Sequence, residues 1–197
     1  MNMKLRIEKW IDERRMLHTE ESEAIELFKE SIMCYKIGAY RSSYIMSYLA
    51  FETIVKNRIL NTKDLPAALT AATWENMKNR LKDDNSWEEE LSNIIKQGPP
   101  PAQSGRPDTR LFKYKKHDAM VNEYNHWKNI RNACAHYKHN TVDNSTVESL
   151  WNFIMDDLEE FHVGGSIEYL TNLIIDSFNI SCKCQPQNVE KFQHENA

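Results

Sequence analysis

Glycine is scarce in this chain, with five in 197 residues. So few disfavour glycine-rich nucleotide loops and all-β folds built on many tight turns. Long apolar runs are also missing, and without eighteen consecutive apolar residues no transmembrane helix is expected. The first residues, Met1-Asn2-Met3-Lys4-Leu5-Arg6, have no apolar core behind them. They do not form a signal peptide, so a cytoplasmic location without membrane association is the expectation. Cysteine is limited to positions 34, 134, 182 and 184. Cys34 and Cys134 lie in apolar helical surroundings and read as buried thiols. Cys182-Lys183-Cys184 lacks the two-residue spacer of zinc pairs, and Cys134, His136 and His139 lack an evident fourth ligand. No metal and no cofactor are expected. Excess positive charge is absent too. The formal net charge of −4 argues against bulk electrostatic capture of nucleic acid, yet leaves room for a local basic site.

What is present is an ordinary globular composition, 41% apolar and 27% charged. The length suits one domain with a real core, or a domain carrying an insertion. Apolar residues recur in steps of three and four through every long segment, and no alternating strand pattern competes. The spacing predicts an all-α, antiparallel up-and-down bundle. Helices are expected over 4–16, 20–37 (capped by Thr19 or Ser22), and 39–60, with Gly38 breaking the chain between the last two. The long helix over 39–60 has a broad apolar face and reads as the centre of the bundle. Shorter helices are expected over 65–83, with Pro66 in the first turn, and over 86–96, capped by Ser86. A linker follows, Gln97-Gly98-Pro99-Pro100-Pro101 to Pro107, so residues 61–116 read as an insertion. A helix over about 117–134 comes next. Ser145-Thr146-Val147-Glu148 has the form of a capping box for a helix reaching Phe161. A last helix is expected over 166–179, then a loose tail over 181–197.

The organising stretch is Arg131-Asn132-Ala133-Cys134-Ala135-His136. Arg131 carries a permanent charge and a donor fork suited to phosphate, and His136 can exchange a proton near neutral pH. Together they supply the minimum for cutting RNA without a metal. Asn132 and His136, four apart, share a helix face. Arg131 and His136 are five apart, roughly 140° around an ideal helix, and converge poorly on one straight helix. Either the helix ends near His136, or two copies of the motif face each other. Glu52, an acid among apolar neighbours on the central helix, is either a boundary residue in a salt bridge or the acid that orients Arg131 or His136. The end of the insertion is basic, with Arg106, Arg110, Lys113, Lys115 and Lys116 interleaved by Phe112 and Tyr114. That pattern suits single-stranded RNA through phosphate pairing and base stacking, or else a soluble loop whose aromatics tuck into the domain.

The motif resembles the Arg-x(4–6)-His signature of the HEPN superfamily, in which Asn commonly follows the Arg. The hairpin over 20–60, with Cys-Tyr-Lys-Ile-Gly-Ala-Tyr-Arg at its bend, also resembles the first hairpin of those domains. The resemblance implies a HEPN-type helical bundle and a metal-independent endoribonuclease acting as a homodimer, a toxin or a phage-defence effector. It makes Arg131 and His136 the catalytic pair, with Asn132 steadying the site, and RNA the substrate; Glu52 and Tyr137 are expected in support beside them. It also implies an antitoxin or regulatory protein as a partner. Some toxins of the superfamily carry a modified tyrosine two positions after the histidine; here Lys138 stands there and Tyr137 comes one earlier. The alternative expectation is a non-catalytic HEPN-like module that binds a protein or a nucleotide.

Overall fold

A computed structural model describes residues 4–17, 21–66, 69–136, 142–164 and 174. It is all-helical, with seven α-helices and no strand among the described residues. Thr19, Tyr137, Lys138, His139, the helix expected over 166–179, Cys182, Cys184 and the tail lie outside the described residues.

Helix α1 (Arg6–Leu17) leads to α2 (Ser22–Lys36), which turns sharply into α3 (Tyr40–Asn61). The turn is built on Gly38, whose φ of 78° is open to glycine but strained for other residues. The Ala39 N–H donates to Cys34 O at 2.8 Å and the Gly38 N–H to Tyr35 O at 3.0 Å. This is the paired bonding of a Schellman C-cap. It folds α3 back along α2. Small polar residues let the two backbones approach, with Ser31 Oγ donating to Ser43 O at 2.8 Å and lying 2.6 Å from Ser47 Oγ. Ser47 Oγ in turn accepts from Trp151 Nε1 on α7 (Asn144–Asp157) at 2.6 Å.

As its apolar face implies, α3 is the central helix. It packs against α2, α4 (Ala71–Lys82), α5 (Trp87–Lys96), α6 (His117–Ala135) and α7. Tyr44, Tyr48, Phe51, Ile54, Val55 and Ile59 are fully enclosed. Each large aliphatic or aromatic side chain buried here contributes about 1.5–3 kcal/mol relative to exposure. Phe51 meets Phe153 and Phe161 edge-on, with centroids 5.6 and 5.1 Å away. Residues 61–116, read as an insertion, add Trp74, Leu81, Leu91, Ile94, Ile95, Leu111 and Phe112 to the same core.

Three local expectations are corrected. The helix over 65–83 begins only at Ala71, because Thr70 is extended and its side chain accepts from the Thr73 N–H. Ser86 stands at the N-cap of α5 without a side-chain cap bond; its hydroxyl donates to Arg80 O instead. Helix α7 is capped by Asp143 rather than through Ser145, since the Asp143 carboxylate accepts from the Thr146 N–H at 2.9 Å.

Candidate functional site

Helix α6 carries Tyr124, Lys128 and Arg131 at intervals of four and three, hence on one face. That face lies against α3, where Tyr48 and Glu52 are four apart. The Tyr44 hydroxyl fixes the contact by donating to Trp127 O at 3.0 Å. The result is a buried polar cluster. Glu52 is 0% exposed, and its Oε1 accepts from the hydroxyls of Tyr48 at 2.9 Å and Tyr124 at 3.1 Å. Its Oε2 lies 3.8 Å from Arg131 Nη2 and has no hydrogen bond. Burial pushes the Glu52 carboxyl up to about 7, against the opposing pull of Tyr48 and of the Arg131 charge. Glu52 is thus a fully buried acid beside Arg131.

Arg131 is gripped from three sides. Its Nη2 donates to Glu88 Oε2, its Nη1 donates to Asn132 Oδ1 at 3.1 Å, and its guanidinium lies over the Tyr48 ring at 5.5 Å. Its Nε is buried without a hydrogen bond. Burial opposes the charge, but Glu88 and Glu52 outweigh it and raise the pKa further. Glu88 was not singled out in the sequence. A signal was there, because Glu88 shares a helical stripe with Leu91, Ser92 and Ile95, all buried.

A cavity of about 720 Å³ opens between α5 and α6, and Arg131 and Asn132 form part of its wall. Its charge is divided. Asp84, Glu88 and Glu89 stand near the start of α5, while Lys96, at the end of α5, and Lys128 stand with Arg131. Lys128 is half-buried, and burial lowers its pKa; Glu52 opposes this, while Lys96 and Arg131 lower it further.

His136 occupies a different place. Helix α6 ends at Ala135, and His136 is its C-cap residue, with its N–H donating to Asn132 O at 3.1 Å. The side chain is exposed, does not line the Arg131 cavity, and makes no hydrogen bond to a described residue. The helix therefore does end near His136, but the ending does not bring it to its own Arg131. Asn132, expected to steady the site, gives its side-chain oxygen to Arg131.

The basic stretch is corrected in part. Phe112 and Tyr114 are 1% and 7% exposed and pack on Phe161, so neither presents a face to a base. Arg110 is committed to Asp108 through two bonds of 2.9 and 2.8 Å, and Lys115 pairs with Glu160 at 3.3 Å. Arg106, Lys113 and Lys116 are exposed. Cys134 is buried, and among the described residues no group of three or more His, Cys, Asp and Glu side chains is placed to hold a metal ion. Among them, too, no helix is long and apolar enough to cross a membrane. No protein-family profile, curated protein or solved structure matches the chain.

Proposed function

We propose that this protein is a metal-independent endoribonuclease of HEPN type that works in the cytoplasm as a homodimer. The observation that carries the reading is the arrangement of α6. Near its end it holds an arginine fixed from three sides, and its C-cap is a histidine left exposed with no described partner. A fixed arginine suits a phosphate, and an unengaged imidazole suits proton transfer. His136 does not share a cavity with its own Arg131. A two-fold partner therefore supplies the complementary group in this reading, through a self-complementary interface.

In the proposed reaction His136 takes the proton of the RNA 2′-hydroxyl, which attacks the adjacent phosphorus and expels the 5′-oxygen. The second histidine of the dimer protonates that leaving oxygen. The product ends are a 2′,3′-cyclic phosphate and a 5′-hydroxyl. General acid–base help of this kind is worth on the order of 10²–10⁴ in rate. Arg131 stabilises the charge gathering on the phosphate, a separate electrostatic contribution. DNA resists, because it lacks the attacking hydroxyl. Such an activity calls for a restraining partner, an antitoxin or another regulator.

The second reading, a non-catalytic binding module, is favoured by one observation: Arg131 already spends its charge on Glu88 and Glu52, as a structural arginine does. Expression in cells separates the two. The nuclease reading expects growth arrest with the wild type and relief with His136→Ala. Equal growth with both chains, each present at the same level, would leave the binding module standing.

A further inference from the structure

The carboxylate of Glu88 accepts from Arg131 Nη2, a place that another anion can take. A carboxylate and a phosphate present the same acceptor geometry to a guanidinium. Glu88 is an unusual permanent partner, since its side chain is 41% exposed while that of Arg131 is only 15% exposed. It sits in the first turn of α5, beside Glu89 and Glu90, with open cavity in front of it. On the other side of Arg131 the same cavity holds Lys96 and Lys128. Lys128 is drawn over the Tyr124 ring, its ammonium 5.8 Å from the centroid, and among the described residues neither lysine has an ion pair with a carboxylate. Three cations thus converge on one cavity, and only the one nearest α5's acidic turn is neutralised. Asn93 and Asn132 also line this cavity.

The geometry points to the α5–α6 cavity as a phosphate-binding site, in which Lys96, Lys128 and Arg131 take a nucleotide phosphate that displaces Glu88. This deepens the nuclease reading and rests on it for the source of the phosphate, an RNA strand. Glu88 then acts as an internal stand-in. It keeps the guanidinium compensated in the free protein and lowers affinity for weak anions, because a ligand must first break the ion pair. The exposed Lys96 and the half-buried Lys128 both belong to the site. An added phosphate relieves the repulsion that Lys96 and Arg131 now exert on Lys128.

Binding to a fluorescent 2′-O-methyl oligoribonucleotide tests the site apart from the reaction, since that strand has no attacking hydroxyl. Anisotropy titrations compare wild type, Lys96→Ala, Lys128→Ala and Glu88→Gln, each in a salt series, with adenosine monophosphate as a competitor. The expected result is about tenfold weaker binding for each lysine variant, with a salt slope smaller by about one. Glu88→Gln should bind several-fold more tightly. Unchanged binding in both lysine variants, or weaker binding in Glu88→Gln, would overturn the site. Lys128→Arg, which keeps the charge, should bind within about threefold of wild type; a loss as large as that of Lys128→Ala would show packing at work rather than phosphate pairing. If the strand binds with this lysine dependence but unmodified RNA is never cut, the site stands and the nuclease reading falls. If the monophosphate binds with the same dependence and the strand does not, the phosphate site stands for a free nucleotide, and RNA as its source is wrong.

Discussion

Among the described residues, two buried arginine–glutamate assemblies differ in what surrounds them and in how they hold their carboxyl groups. The first ties the start of the chain to the end of α7. Arg14 donates Nε and Nη2 to Glu21 at 2.5 and 2.8 Å, and Nη1 to Glu159 at 2.9 Å. Arg58 donates to Leu158 O at 2.8 Å and to Glu159 at 3.3 Å, and His162 lies 2.7 Å from the same carboxylate. Burial pushes Glu159 up, but His162, Arg58 and Arg14 together hold it well below the usual carboxylate range. The second assembly is Arg131 with Glu52 and Glu88. There Glu52 Oε2 and Arg131 Nε have no hydrogen bond, and the Glu52 carboxyl is raised to about 7. The first assembly answers charge with charge and joins α1, the start of α2, α3 and α7. The second stands beside an open cavity and holds a carboxyl that burial has raised, where the partners of Glu159 have lowered theirs, which suits a binding site better than a strut.

The largest expected effect breaks the first assembly. Glu21→Ala strands Arg14, whose side chain is 8% exposed, beside the carboxylate of Glu159 alone. Removing one partner of a buried pair costs about 3–5 kcal/mol, which urea unfolding would read directly. The protein that remains folded should keep its full activity on RNA. Loss of activity without loss of stability would erase the distinction between the two assemblies.

Glu52 gives the next effect, and its sign is opposite to that of an ordinary salt-bridged acid. In the folded chain it holds its proton up to about pH 7, against an ordinary value of 4.5. Between those values the folded state binds a proton that the unfolded state does not, so stability falls as pH rises through this window. The span corresponds to an effect on the order of 3 kcal/mol. Glu52→Gln should flatten that decline, seen as urea midpoints at pH 5 and pH 8 that lie closer together than in wild type. An unchanged gap would show that Glu52 is ionised in the folded protein throughout.

Glu88→Gln is expected to be the mildest change in stability. A partly exposed ion pair contributes within about 1 kcal/mol after solvent screening. Its midpoint in urea should therefore move little while its behaviour toward RNA changes. A loss as large as that of Glu21→Ala would place Glu88 among the struts.

Much of the fold was legible because helix α6 and the α2–α3 hairpin announce themselves by period. The expected spans of 20–37, 39–60 and 117–134 compare with Ser22–Lys36, Tyr40–Asn61 and His117–Ala135. Helix ends were harder, since several polar side chains compete for the first free N–H groups and only geometry selects among them. Asp143 reached Thr146 where Ser145 had the expected pattern. Glu52 could be suspected as an acid on an apolar helix. Glu88 could not be paired with Arg131 from the sequence, because 43 positions separate them and the α5 segment read as an insertion. Alternation of Phe112 and Tyr114 with lysines gave no sign of direction, and both rings turned inward to meet Phe161.

Whether α6 ends in a catalytic pair is read most plainly from cleavage of a labelled RNA in the presence of chelator. Wild type, Arg131→Gln and His136→Ala would be compared at matched helical circular dichroism, with the product ends identified. The account predicts 2′,3′-cyclic phosphate ends from wild type and at least a hundredfold slower cleavage by each variant, on the scale of general acid–base catalysis. Cleavage that requires added divalent metal, or that proceeds equally well in His136→Ala, would contradict it.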